Sequence, residues 1–193
     1  MSGKREQIID AAYQLLAVQN YQNMTTSKIA QAAGVAEGTL YRYFKSKRHL
    51  LLEVIVKYSE YIMTKIFTNV SKDKPIFENL EHFADEFYKS LIADRTFYRM
   101  LFKLFSELDE EELNAAIRDY HTTYLNRIKG VFLWAKENAE INLSEREINN
   151  AVQSLWGMAE GFMKRTVLKI NLPISIDEIY FAVNLLKPLL QVE

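Results

Sequence analysis

The sequence contains no cysteine. That excludes disulfides, cysteine-based zinc sites and thiol nucleophiles at once. Only three prolines and six glycines interrupt 193 residues, a scarcity that favours long helices over a turn-rich sheet. Histidine is also rare, and His49, His82 and His121 are too scattered to suggest a metal site. There is no Gly-rich phosphate loop, no HExxH, no ExxH pair of the di-iron bundles and no serine elbow. These absences argue against an enzyme, and no cofactor is expected. No uninterrupted apolar run approaches the length of about 18 residues that a membrane helix needs. The chain starts Met-Ser-Gly-Lys-Arg and passes straight into an amphipathic pattern without an apolar signal core, so a cytoplasmic location is expected.

What is abundant is apolar and aromatic. Apolar residues make up 49% of the chain, with 11 Tyr and 11 Phe, enough for a sizeable globular core. The net charge of −1 hides an asymmetry. Residues 1–52 carry seven Lys and Arg against three Asp and Glu, a net of +4; the remainder carries 17 against 22, a net of −5. A basic head on an acidic body suits attraction of phosphates to one end only.

Residues 25–50 give the head its form. Thr25 or Thr26 can cap a short helix through its hydroxyl. Ile29, Ala30 and Ala33 recur at helical spacing and give that helix an inward face. Gly34 suits the left-handed conformation that ends a helix and lets the chain reverse. Val35 can plug the angle of the turn. A second helix follows, with Leu40, Tyr41 and Phe44 on its anchoring side. Glu37, Gly38, Thr39, Arg42 and Tyr43 remain for its outward side. Such small or hydrogen-bonding groups are what a base-reading surface needs. Lys45, Lys47 and Arg48 come next, where phosphates would pass. The whole reads as a helix-turn-helix, a device that docks in the major groove of DNA.

At these residues the chain resembles the N-terminal domain of the TetR family of bacterial transcriptional regulators. The resemblance rests on Thr25-Thr26, Ile29-Ala30, Ala33-Gly34-Val35, Gly38-Thr39-Leu40-Tyr41, Tyr43-Phe44, Lys47 and Leu50, roughly the first quarter of the chain. It implies DNA contacts from Thr26, Ser27, Glu37, Gly38, Thr39, Tyr41 and Tyr43, and a phosphate contact from Lys47. Three positions depart from the family's pattern. Asn20 stands where Gly is common, Ala36 replaces a capping Ser or Thr, and His49 replaces a Glu. The last change is expected to remove the capping-box partner of Ser46.

Nine helices and no strand are expected over the whole chain. The first spans about 4–19 and braces the helix-turn-helix. The fourth begins after Ser46 and runs to about Val70. Helix five covers about 75–92, with Pro75 suited to its first turn, and Asp94 can cap a sixth over 95–107. The seventh starts in the acidic run from Asp109. Capping boxes at Ser144–Glu147 and Ser175–Glu178 open the eighth (about 145–170) and ninth (about 176–187), and Pro188 limits the last. Helix eight shows two apolar faces. One needs the body and the other a partner, and Gly157 and Gly161 would admit a close neighbour. Leu155, Phe162, Met163, Tyr180 and Val183 are the expected dimer interface.

The aromatic residues of the body can line a pocket, a reading the family resemblance favours. The expected lining is Tyr58, Ile62, Phe83, Phe87, Phe102, Phe105, Tyr120, Tyr124 and Trp156, with His82, Glu86, Arg99 and His121 near enough in sequence to orient a head group. The fold class is therefore all-α, with a helix-turn-helix DNA-binding domain at 1–48 and a helical ligand-binding and dimerisation domain at 49–193. The functional reading is a homodimeric, ligand-responsive repressor. It would bind a palindromic operator in double-stranded DNA and leave it when a small apolar or aromatic molecule binds. The alternative is an all-helical partner-binding protein, or a helical enzyme, without DNA binding.

Overall fold

The computed structural model describes the backbone at residues 3–19, 21–105, 110–168 and 173–190, and side chains at all of these except 21, 103–105, 110–117, 119, 120 and 189. Asn20, Asp109 and Leu172 lie outside the described residues. Among the described residues there is no strand. The α-helices are α1 (Lys4–Val18), α2 (Thr26–Ala32), α3 (Glu37–Tyr43), α4 (Lys47–Ile66), α5 (Ile76–Ala93), α6 (Arg95–Phe105), α7 (Glu110–Glu137), α8 (Glu145–Leu168), α9 (Ile176–Asn184) and the four-residue α10 (Lys187–Leu190), with a 3-10 turn at Tyr21–Asn23. They gather into two compact units, Met1–Tyr61 with Arg99–Ala116, and Ile62–Tyr98 with Ile117–Glu193.

In the first unit α1, α2 and α3 pack on one another. Ile8, Ala12, Ile29, Leu40, Phe44 and Leu50 are wholly buried there. The α1 and α4 segments of this unit are also joined by polar ties. Arg5 pairs with Glu53 at 2.8 Å, and Asp10 takes both Lys57 (2.5 Å) and the Tyr58 hydroxyl (3.1 Å). The Tyr58 ring stacks on Tyr13 with centroids 3.6 Å apart. Arg99 donates to the Ala17 carbonyl at 3.0 Å, close to the end of α1, where unsatisfied carbonyls gather.

Several helix ends differ from expectation for local reasons. The fourth helix stops at Ile66 rather than near Val70, and Asn69 then turns left-handed (φ 67°). The buried Asn79 amide holds the turn that follows. It accepts from Ser71 N–H (3.0 Å) and donates to the carbonyls of Ser71 (2.8 Å) and Lys74 (3.2 Å). Pro75 is the N-cap of α5 rather than part of its first turn. The Asp94 carboxylate pairs with Lys65 at 3.4 Å, while its carbonyl accepts from Phe97 N–H at 2.8 Å. Pro188 does not end the last helix; it sits inside the first turn of α10, where a missing N–H costs nothing.

The second unit is built on α5 against α9 and α8 against α9. The Ser144 box forms in both directions. Ser144 N–H donates to Glu147 at 2.8 Å and Glu147 N–H to the Ser144 hydroxyl at 3.3 Å. The Ser144 hydroxyl, which donates to the same carboxylate at 2.6 Å, and the Ser144 N–H hold the Glu147 carboxyl below the usual carboxylate range. At the second box the Ser175 hydroxyl caps Glu178 N–H, but the Glu178 carboxylate is taken by Arg165 at 2.5 Å.

The turn after α7 yields a stability prediction. Ala139 is left-handed (φ 57°), with Ala139 N–H on Lys136 (3.1 Å) and Glu140 N–H on Ala135 (2.8 Å), the bonding pattern that Gly normally completes. A side chain there is strained. Ala139→Gly should therefore stabilise the protein by about 1 kcal/mol. Thermal unfolding checks it, and a lowered midpoint would contradict the assignment.

Candidate nucleic-acid interface

Three local devices fix the helix-turn-helix. The Thr25 hydroxyl accepts from Lys28 N–H at 3.2 Å and is the N-cap of α2. Gly34, at φ 65°, ends that helix; its N–H bonds the Gln31 carbonyl (3.1 Å) and Val35 N–H bonds that of Ala30 (3.0 Å). This pair of bonds satisfies the helix's last carbonyls and reverses the chain. Ala36, the N-cap of α3, supplies no side-chain bond, as its residue type requires.

At α4 the expectation was too pessimistic. The Ser46 hydroxyl accepts from His49 N–H at 3.0 Å, and Lys45 N–H donates back to His49 Nδ1 at 3.2 Å. His49 thus does the work expected of a glutamate, one residue further upstream. Its ring also meets Phe44 edge-on, with centroids 5.9 Å apart.

On α3, Leu40 and Phe44 point inward with no exposed surface. Glu37, Gly38, Arg42 and Tyr43 are exposed, and Thr39 is half-buried. Tyr41 corrects the residue-by-residue reading. It is 52% exposed, so it belongs to the outward face and not to the anchoring side. Its hydroxyl lies 3.1 Å from Thr26 Oγ1, and Thr26 donates to Glu37 Oε1 at 2.6 Å. Thr26, Glu37 and Tyr41 are thereby brought into one polar group that bridges α2 and α3. Ser27 is exposed beside it, and Lys47 is half-buried at the start of α4. Sequence reasoning missed the bridge because its partners lie 11 and 15 positions apart, across the turn.

Residues 8–54 match the family model for the bacterial regulatory proteins of the tetR family. The match places residues 8–54, the helix-turn-helix and the helices beside it, with the TetR family. It is similar over 80% of its length, at 28% identity, to the fatty acid metabolism regulator protein of Bacillus subtilis (strain 168), of which it covers 78%. Among solved structures it is similar to the fatty acid degradation regulator FadR from Bacillus halodurans. There the identity is 26%, with 98% of this chain and 96% of that one covered and a TM-score of 0.73. A TetR transcription regulator from Haloarcula marismortui shares the fold, with a TM-score of 0.78 at 18% identity over 97% of this chain and 96% of that one. Among its described residues the chain is all-helical, and its residues 8–54 match the tetR family of bacterial regulatory proteins.

The expected pocket residues fall into separate groups. In the second unit Phe83 lies between Phe67 (5.5 Å, edge-on) and Phe87 (6.4 Å). In the same unit, Tyr124 and Trp156 stack with centroids 6.3 Å apart, and His121 meets Trp156 edge-on at 5.1 Å. Ile62 and Tyr124 are buried, and Trp156 is half-buried with its N–H on Glu160 at 2.8 Å. Tyr58 belongs to the first unit, where Asp10 and Tyr13 occupy it. Burial and the Asp10 charge push its phenol well above the usual range, so it stays protonated. Phe102 also belongs to the first unit and is half-buried. The side chains of Phe105 and Tyr120 lie outside the described residues.

The neighbouring polar side chains have protein partners. His82 bonds the Thr68 carbonyl, Glu86 pairs with Lys89 at 2.6 Å, and Arg99 caps α1 as described.

The expected dimer residues divide by exposure. Leu155 and Phe162 are half-buried. Met163 and Val183 are buried within the chain itself, and the Tyr180 hydroxyl is held by Asp85 of α5 at 2.7 Å. That bond and burial push the Tyr180 phenol up to about 12. Among the described residues of α8, α9 and the turn after it, the large apolar side chains left outside are Phe181, Leu185 and Leu168, at 66%, 55% and 60% exposure. The inner stripe of α9 and beyond is Ile179, Ala182, Val183 and Leu186, all buried. Its i, i+3, i+4, i+7 spacing was the signal that separates inner from outer face.

Proposed function

We propose that the protein is a homodimeric repressor that binds a palindromic operator and is released by a small apolar ligand. Residues 1–48 are the DNA-binding domain and 49–193 the ligand-binding and dimerisation domain. The observation that carries the DNA part is the row of exposed hydrogen-bonding side chains on α3, seated on a capped, glycine-turned pair of helices. One short recognition helix reads few base pairs, so a two-fold dimer presenting two of them about 34–36 Å apart supplies the rest.

Two relatives carry names that tie them to fatty acid metabolism and fatty acid degradation. With the aromatic and aliphatic interior of the second unit, that makes fatty acyl compounds the first ligand class to test. We read α4 as the transmitting element, since it runs unbroken from Lys47 to Ile66. A ligand acts by binding the off-DNA arrangement more tightly, and a tenfold preference is worth about 1.4 kcal/mol. Head-to-head distances measured with and without an acyl ligand test this; an unchanged distance removes the mechanism.

Selection of bound sites from random duplex DNA tests the main reading, with an inverted repeat expected. Thr39→Ala or Tyr43→Ala should then cost about 1–3 kcal/mol on the selected site and less on random DNA. Lys47→Ala should weaken both alike and reduce the salt slope by about one. An equal loss of slope in Lys72→Ala, an exposed lysine outside the head, would count against the phosphate contact.

A further inference from the structure

Glu37 is the single acidic residue between Asp10 and Glu53, in a head with a net charge of +4. It stands at the first position of α3, exposed, on the surface that the proposed function turns toward DNA. A carboxylate there faces phosphate repulsion, so its presence needs a compensating bond.

The structure holds that carboxylate in one place. Thr26 donates its only hydroxyl proton to Glu37 Oε1 at 2.6 Å. The Tyr41 hydroxyl, 3.1 Å from Thr26 Oγ1, must then be the donor in that pair. The chain of bonds runs Tyr41 to Thr26 to Glu37 and ends on an acceptor. Oε2 has no hydrogen-bonded partner among the described residues, which leaves it free to accept from outside.

The N-terminal residues of a recognition helix are those that reach base edges. The major groove offers only two strong donors, the N4 amine of cytosine and the N6 amine of adenine. Adenine's amine sits beside the N7 lone pair, which repels a carboxylate; cytosine's does not. Guanine and thymine offer acceptors to an acceptor, and lose.

We infer that Glu37 is a specificity-determining residue that selects cytosine at one symmetric position of each operator half-site, with Thr26 as its positioning residue. The inference rests on the proposed operator binding.

The test is selection from a randomised duplex pool with the full-length wild type, Glu37→Gln and Glu37→Ala. The wild type should enrich cytosine at one position per half-site, on the order of tenfold over other bases. Glu37→Gln should move that position to adenine, since an amide can bond both N6 and N7. Glu37→Ala should lose the preference there and keep it elsewhere. Thr26→Val should blur the cytosine preference at that position and Thr26→Ser should retain it. Unchanged base preferences in Glu37→Gln and Glu37→Ala would overturn the inference while leaving operator binding intact. So would a wild-type site without cytosine, or Thr26→Val weakening every position equally. Failure of the wild type to enrich any duplex overturns the proposed function itself, and this inference with it.

Discussion

Phe44→Ala is expected to cost about 3–5 kcal/mol, the range for emptying a fully buried aromatic site. Phe44 has no exposed surface, and three groups close around its ring. The Arg5 guanidinium lies 5.7 Å from the ring centroid, His49 meets it edge-on, and Tyr43 tilts against it at 6.4 Å. It is also the C-cap of α3, so its backbone fixes where the recognition helix stops and the basic loop begins. A small domain has a margin of the same order as this cost. Operator binding should therefore vanish through unfolding of the head rather than through loss of a contact. Hydrogen exchange distinguishes the two. Amides of Ile29, Ala30 and Leu40 should lose protection, while those of Phe132 and Ile148, in the second unit's own core, should keep it. Phe44→Leu, which keeps most of the volume, should retain binding. Full protection and full affinity in Phe44→Ala would mean the head is not held together this way.

The head was legible in the sequence because its signals are short-range. Thr25 caps a helix three residues on, and Gly34 takes the left-handed turn that its neighbours demand. Each can be read within a window of one helical turn. His49 was misjudged because a ring nitrogen can replace a carboxylate at a cap only when the loop brings Lys45 N–H to it. Composition does not encode that. Tyr41 was placed inside because helical spacing does not distinguish a ring that packs from one that lies along the surface. The bond to Thr26 decides it, and that bond crosses a turn. The body was legible as helices but less so as faces. Val183 and Tyr180 were assigned outward, yet α5 claims both α9's inner stripe and the Tyr180 hydroxyl. Which face of an amphipathic helix meets which neighbour is a tertiary property, and the pattern fixes only that a face exists.

The outer faces of α8 and α9 carry the second large effect. Gly157 and Gly161 lie on the exposed side of α8, and a Cβ added at either would meet nothing within 4 Å. Each costs about 1 kcal/mol relative to alanine inside a helix. Nothing among the described residues requires them, whereas a second helix approaching closely would. Phe181 and Leu185 add exposed apolar surface on the end of α9, where burial within the chain gives them no role. We expect this face to be the contact between two copies. A two-fold interface counts every residue twice, so the change Phe181→Asp with Leu185→Asp removes four apolar side chains and introduces four charges. Even at one Phe-sized burial per subunit the loss is roughly 3–6 kcal/mol, two to four orders of magnitude in dimer affinity. The monomer should fold as before, since both positions are solvated in it. Operator affinity should fall with the dimer, because each half-site must then be bound alone. Val183→Ala is the contrast: it opens the chain's own core and should lower the unfolding midpoint before it affects assembly. Sedimentation with thermal unfolding on the same samples separates these outcomes. A Phe181→Asp, Leu185→Asp protein that sediments as a dimer would place the contact elsewhere.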